Sequence, residues 1–159
     1  MFNVFSTILT VSRFHKDAFN GTWVKCLAGI KAWFFLDPSA EEGDFETPAP
    51  ENIRCILLFP GDVLYMPAGL SVPHAVVTVC GPCLMAGGQR LDKTSLIPQL
   101  KEIYRMMREP STTNEDVPRS EFRAILSTLL TLIKEDPKDF EDPKGLRDTI
   151  VSIQACLQN

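Results

Sequence analysis

Histidine is nearly missing from this 159-residue sequence, which contains two. Long apolar runs are missing as well: none approaches the roughly 18 to 20 uninterrupted apolar residues that a bilayer-spanning helix requires, so no membrane span is predicted. Positive charge is not in excess. The formal net charge of -4 speaks against a sequence-independent nucleic-acid binder, which would carry a basic face, and leaves basic protein substrates open. A secretory signal is not expected, because the apolar stretch from Met1 to Thr10 lacks a basic leader and reaches Arg13 without a small-residue cleavage site. Cysteine is present, but the five residues are an odd number with no sign of secretion. They are read as reduced thiols, which makes cytosol or nucleus the expected compartment. Apolar content of 45% and charged content of 23% exclude disordered and fibrous classes. The length suits one compact unit with an appendage.

Cys80-Gly-Pro-Cys83 has the spacing of a thioredoxin-type redox motif, in which the first thiol sits at a helix N-terminus that lowers its pKa. Here Leu84-Met85-Ala86-Gly87-Gly88 follows, which reads as a short strand, so the motif is predicted to be a turn joining two strands. A zinc site would need a second close pair, and Cys26, Cys55 and Cys156 do not supply one.

The pattern changes near Leu91. Before it, short β-rich runs at Val4–Phe14, Thr22–Leu27, Ile30–Leu36, Ile53–Phe59, Val63–Tyr65, Ala75–Val79 and Leu84–Ala86 are separated by Gly, Pro and Asp/Asn signals, as in a small barrel or sandwich. After it, apolar residues recur at helical spacing. Leu96–Met107 follows Thr94 or Ser95 as cap, Phe122–Ile133 follows Ser120, and a third helix follows Asp142 with Pro143 in its first turn. Residues 1–91 are thus expected to form a barrel and 92–159 a helical extension. Between the first two helices, Glu109-Pro-Ser-Thr-Thr-Asn-Glu-Asp116 reads as a polar hinge. The three apolar stripes are expected to bury against the barrel or against a second copy in a homodimer, because soluble monomers rarely expose such surface.

Scarcity makes the histidines informative. His15 precedes Asp17 by two residues at the end of the first β run, and positions i and i+2 of an extended strand share a face. His74 follows Pro60-Gly-Asp-Val-Leu-Tyr-Met-Pro-Ala-Gly69, a turn, a short strand and a second turn, and opens the apolar run Ala75–Val79. A barrel can bring that strand to His15. Two histidines and one carboxylate with open positions form the facial arrangement that favours non-haem Fe(II) and oxygen chemistry. A bare His-x-Asp is also common by chance, with His15 at the surface and His74 in a turn.

The surrounding residues carry more. His15-Lys-Asp-Ala-Phe-Asn-Gly-Thr-Trp-Val-Lys-Cys-Leu-Ala-Gly-Ile-Lys31-Ala-Trp-Phe-Phe-Leu-Asp-Pro38 resembles the central block of JmjC domains, in which His-x-Asp precedes a strand, a Gly-x-Lys and an aromatic strand ending at proline. Leu58-Phe-Pro-Gly-Asp-Val-Leu-Tyr-Met-Pro-Ala-Gly69, with Pro73-His74-Ala-Val76 after it, resembles the second block. The two occur in order over most of residues 12 to 89, and the flavour is that of fungal JmjC-like proteins.

The resemblance implies a mainly β double-stranded β-helix, the jelly-roll or cupin barrel, followed by helices. It implies an Fe(II)- and 2-oxoglutarate-dependent oxygenase, with His15, Asp17 and His74 as metal ligands and Lys31 as counter-ion of the distal 2-oxoglutarate carboxylate. Ser12 and Thr22 fall where the family places hydroxyl or amide groups around the cosubstrate, Trp33 falls on the barrel wall, and Arg90 is the alternative counter-ion. Charge agrees with Lys31: iron, Asp17 and 2-oxoglutarate together leave one negative charge, which a lysine offsets in a buried pocket.

Two departures qualify the match. JmjC domains carry a segment ahead of the first barrel strand, and this sequence starts almost at that strand, so the barrel is expected to be incomplete on its N-terminal side. The paired glycines are followed by Gln89-Arg-Leu-Asp92 instead of aromatic residues. The expected substrate is a protein or small molecule, hydroxylated or demethylated, with no direct nucleic-acid or membrane partner. Rival readings are a silent barrel that acts as a binding module and a metal cupin that uses no oxoacid. Lys31 separates the latter, which would need no carboxylate partner there.

Overall fold

The structure, a computed structural model, describes residues 1–19, 21–37, 42–116 and 118–157. Six strands, β1 (Phe2–Ser6), β2 (Val11–His15), β3 (Gly21–Phe35), β4 (Arg54–Leu58), β5 (Val63–Met66) and β6 (His74–Arg90), form one antiparallel sheet. A short helix α1 (Glu42–Glu46) precedes β4, and α2 (Leu96–Arg108), α3 (Arg119–Glu135) and α4 (Pro143–Leu157) follow β6.

The organising feature is the pairing of β3 with β6 along nearly their whole lengths, from Gly21 opposite Arg90 to Phe35 opposite His74. Each absorbs two of the runs expected to be separate strands, and each is interrupted by irregular register between 26 and 31 on β3. Opposite those residues β6 bulges at Cys80–Cys83, so the predicted strand-joining turn is instead a bulge inside one strand. Gly29 makes the close approach possible. It has φ +76°, and a Cβ there would meet Cys83 Cα and Cβ at 2.7 Å. Positive φ is open to glycine at no steric cost.

The bulge divides the sheet into two leaves. In one, β2 flanks the N-terminal half of β6 and β4 flanks the C-terminal half of β3. In the other, β1 flanks the C-terminal half of β6 and β5 flanks the N-terminal half of β3. The leaves face one another, and Val24, Cys26, Trp33, Leu58, Met66, Val76, Cys83 and Met85 from both form one apolar cluster. Among the described residues neither β1 nor β2 pairs with β4 or β5, so the sheet is open.

The first predicted run, Val4–Phe14, is broken into β1 and β2. Leu9 takes φ 64° in the intervening turn, and the turn is held to β6 by Leu9 N–H to Thr78 O at 2.9 Å and Thr78 N–H to Thr10 O at 3.0 Å.

The helical segments lie close to their predicted bounds. Asp142 caps α4, its Oδ1 accepting the Gly145 N–H at 2.8 Å. Ser95 occupies the cap position of α2 but makes no capping bond. α3 starts at Arg119 after Pro118, which places Ser120 inside the first turn and not at the cap. The apolar stripes meet mainly one another: Leu100, Ile103, Phe122, Leu126, Ile133, Leu146, Ile150 and Ile153 form a second core, with Phe19 and Leu91 from the sheet region at its margin. No helix among the described residues is long and apolar enough to cross a membrane.

Candidate metal centre

Pairing between β2 and β6 puts His15 directly across from His74. Their rings lie 4.4 Å apart, centroid to centroid. Asp17 arrives differently from the expected strand alternation. β2 ends at His15, and Asp17 lies in the irregular segment beyond it. Its Oδ1 is 3.9 Å from His15 Nε2 and 3.6 Å from His74 Nε2, and one ligand atom from each of the three residues falls within 4.8 Å of the others.

Both rings are oriented by their other nitrogen. Nδ1 of His15 lies 2.6 Å from Arg13 O, and Nδ1 of His74 lies 3.1 Å from Val72 O. A carbonyl only accepts, so each Nδ1 carries a proton, and each Nε2 is turned toward Asp17. Backbone carbonyls commonly fix metal-binding imidazoles in this way. Nε2-to-carboxylate separations of 3.6 and 3.9 Å are long for hydrogen bonds. They leave room for a shared ion, since donors about 2.1 Å from a metal sit roughly 3 Å or more from one another. Burial holds His74 below the ordinary imidazole pKa, opposed by the Asp17 carboxylate. That keeps the ring in the neutral form a metal requires. The residues therefore fit a divalent ion.

The triad opens on a cavity of about 360 Å³ that receives side chains from both leaves. Ser12, Thr22, Lys31 and Trp33 all line it together with His15, Asp17 and His74. Lys31 is 6% exposed. Burial pushes its ammonium below the usual lysine range, with the Cys83 and Cys26 thiols opposing. Among the described residues no carboxylate lies within ion-pair distance of it. Trp33 stacks on His74 at 5.2 Å, and its buried Nε1 has no hydrogen-bond partner among the described residues. Thr22 Oγ1 donates to Phe19 O at 3.1 Å. Arg90, the alternative counter-ion, lies outside the cavity lining, half exposed, and bonds Tyr65 Oη and Asp92 Oδ2.

Several lining residues had no sequence signal. Phe2 packs against Gly87, where a Cβ would meet its ring at 2.6 Å, and so it supplies an aromatic wall beside the glycines that lack an aromatic successor. Gln89, Asn114 and Glu115 add polar groups. Asn114 and Glu115 belong to the expected hinge, which proves to be a held segment: Thr112 is fully buried, and Glu115 accepts hydrogen bonds from Ala18 N–H and from Gln89 Nε2. Burial raises the Glu115 carboxyl above its ordinary pKa, with the Ala18 bond opposing and the Asp17 charge adding to the rise.

The Cys80 and Cys83 side chains part company, one exposed and the other buried. Neither stands at a helix N-terminus.

No family model matches the chain. A curated relative, KK-1 biosynthesis cluster protein D of Curvularia clavata, is 32% identical over 173 aligned residues, which take in 98% of this chain. The chain spans 17% of that relative's length. Among solved structures, a variant oxalate decarboxylase of Bacillus subtilis overlaps 79% of this chain and 27% of its own at 12% identity and a TM-score of 0.40. Iron(II)-bound HppE overlaps 54% of this chain and 39% of its own at 19% identity and a TM-score of 0.33. These are partial overlaps, and the site stands on its own geometry.

Proposed function

We propose that this chain is an Fe(II)- and 2-oxoglutarate-dependent oxygenase of JmjC type, with the open, two-leaved sheet within residues 1–91 as an incomplete jelly roll and 92–159 as a helical extension. The observation that carries the reading is the buried Lys31, with no carboxylate in ion-pair distance among the described residues, in the same cavity as a His15, Asp17, His74 cluster whose two Nε2 atoms converge on Asp17. A buried cation without a partner is costly, and a dicarboxylate reaching from the metal to Lys31 would relieve that cost.

In this reading His15, Asp17 and His74 would hold the iron. Lys31 binds the distal carboxylate, and charge balance follows, since iron, Asp17 and 2-oxoglutarate sum to one negative charge. Ser12 and Thr22 would offer hydroxyls to the cosubstrate, and Trp33, whose Nε1–H has no partner among the described residues, would line the same space. Phe2, Val4, Val24, Val76 and Met85 give the remaining space an apolar lining. The bound iron and cosubstrate supply the oxidising power, 2-oxoglutarate and O2 giving succinate, CO2 and one oxygen atom for a C–H bond. Hydroxylation of an N-methyl group would release formaldehyde, so demethylation is the same reaction on a different substrate. Because the Curvularia clavata relative is named for a biosynthesis cluster, small molecules stand beside protein side chains as substrates to screen.

Anaerobic titration with Fe(II) and then 2-oxoglutarate tests this directly. The expected result is one iron per chain and a weak visible absorption that appears on addition of the oxoacid. Iron binding without any response to 2-oxoglutarate would leave a metal cupin of other chemistry.

A further inference from the structure

Of the three candidate ligands, Asp17 alone lies outside a strand, so no sheet hydrogen bonds fix it. What fixes it is the segment between α2 and α3. The N–H of Lys16 donates to Thr112 O at 2.9 Å, and the N–H of Ala18 donates to Glu115 Oε2 at 2.7 Å. The backbone N–H groups of both neighbours of Asp17 are therefore held by residues almost a hundred positions away. The holding segment is itself braced. Thr112 Oγ1 donates to Glu109 O at 2.8 Å, Glu115 N–H donates to Thr113 Oγ1 at 3.2 Å, and Gln89 Nε2 from β6 donates to Glu115 Oε1. On the other flank the Lys16 ammonium pairs with Glu102 of α2 at 3.6 Å.

We propose that Glu115 is a positioning residue for the metal site, a strap from the helical region that sets the reach and orientation of Asp17 through the Ala18 N–H. The inference rests on the metal-binding reading above. Both Glu115 oxygens already accept hydrogen bonds, one from each neighbour, so its role is orientation and not coordination. A carboxylate acceptor suits the task because a charged acceptor makes shorter and stronger bonds to backbone N–H than a neutral one. Groups that orient metal ligands from behind typically change affinity by about 10- to 100-fold when removed. A helical region that merely packed beside the sheet would leave the metal site indifferent to this side chain.

The test is a titration of the full chain with Co(II), read by its d–d absorption, for wild type, Glu115→Ala, Glu115→Asp and Glu115→Gln, with the melting temperature of each apo protein measured in parallel. Glu115→Ala is expected to lose about 10- to 100-fold in Co(II) affinity and to change the shape of the spectrum. Glu115→Asp, which keeps the charge but draws the carboxylate back from Ala18, is expected to shift in the same direction and covers the case in which the alanine variant does not fold. Glu115→Gln keeps an acceptor for the Ala18 N–H, with Gln89 able to turn its amide, and is expected to recover most of the affinity. Wild-type affinity and spectrum in the folded Ala or Asp variant, even with a lowered melting temperature, would overturn the inference and leave a structural contact only. Failure of the wild type to bind Co(II) would instead overturn the metal-site reading beneath it.

Discussion

Leu100, Ile103, Phe122, Leu126, Ile133 and Ile150 lose essentially all exposure among α2, α3 and α4, whereas the facing leaves of the sheet bury Lys31, His74, Thr22 and Thr78 and leave Phe5, Leu57, Phe59 and Val63 in solvent. The helical region follows the ordinary economy of a small core: aliphatic and aromatic groups inside, long charged side chains outside, and Gln99 as a buried polar group that bonds Asp92 O and Ser95 Oγ. The sheet region keeps a cavity, an ammonium with no ion pair among the described residues and two imidazoles where further packing would stabilise it. Buried polar and charged groups cost stability unless something completes them. The difference teaches where stability and chemistry reside. The helical core is filled by its own side chains, and the sheet interior keeps polar groups around a cavity that a ligand would complete.

The largest effect that could break this contrast lies in the helical core. Phe122→Ala should cost about 3 to 5 kcal/mol of unfolding free energy, the usual range for emptying a packed aromatic site, while Val76→Ala, which only widens an existing cavity, should cost clearly less in the same denaturant titration. Equal losses would mean that the two regions are packed alike. A smaller effect of opposite sign is expected at Lys31. Burial depresses its pKa, so the folded chain holds that proton less tightly than the unfolded chain. Its charged form therefore costs stability throughout the range below the depressed value, and the cost disappears as pH rises toward the unfolded value of about 10.4. Lys31→Met should thus raise the melting temperature of the apo protein near neutral pH by about 2 to 4 °C, and the gain should shrink in strongly alkaline buffer. A lowered melting temperature would show that Lys31 is already satisfied within the apo sheet. The smallest effect is a labelling pattern: in native protein Cys55, Cys80 and Cys156 should alkylate readily while Cys26 and Cys83 stay protected until unfolding. Fast labelling of Cys83 would show that the bulge opens and that the interior of the sheet is exposed.

The two regions also differed in how much of them could be read from sequence. The helices were legible because a period of 3.6 with apolar residues at Leu100, Ile103, Phe122, Leu126, Ile150 and Ile153 is a local signal, and Asp142-Pro143 marks a helix start on its own. Even there the partner of each stripe was not local information. The stripes turned out to meet chiefly one another. In the sheet, individual runs were legible, but the merging of Thr22–Leu27 with Ile30–Leu36 depended on Gly29 fitting against Cys83, a contact with a residue more than fifty positions away. For the site, two histidines in the whole chain and the blocks around them were enough to single out His15, Asp17, His74 and Lys31 as candidates. The expected mechanism for joining His15 to Asp17, alternation along one strand, did not apply, because β2 stops at His15 and the segment carrying Asp17 is held by hydrogen bonds that the Lys16 and Ala18 N–H groups donate to residues 112 and 115. Glu115 was invisible for the same reason. A polar stretch between helices looks the same in sequence whether it is a hinge or a strap.

In the proposed function a metal and a dicarboxylate complete the sheet interior by acting on separate residues. Paired anaerobic titrations of Fe(II) and of 2-oxoglutarate into wild type and Lys31→Ala test it most directly. The account predicts that iron affinity barely moves while 2-oxoglutarate affinity falls by tens- to thousands-fold, the equivalent of roughly 2 to 5 kcal/mol for stranding one partner of a buried charge pair. Unchanged 2-oxoglutarate affinity in Lys31→Ala, or no 2-oxoglutarate binding by the iron-loaded wild type, would contradict it.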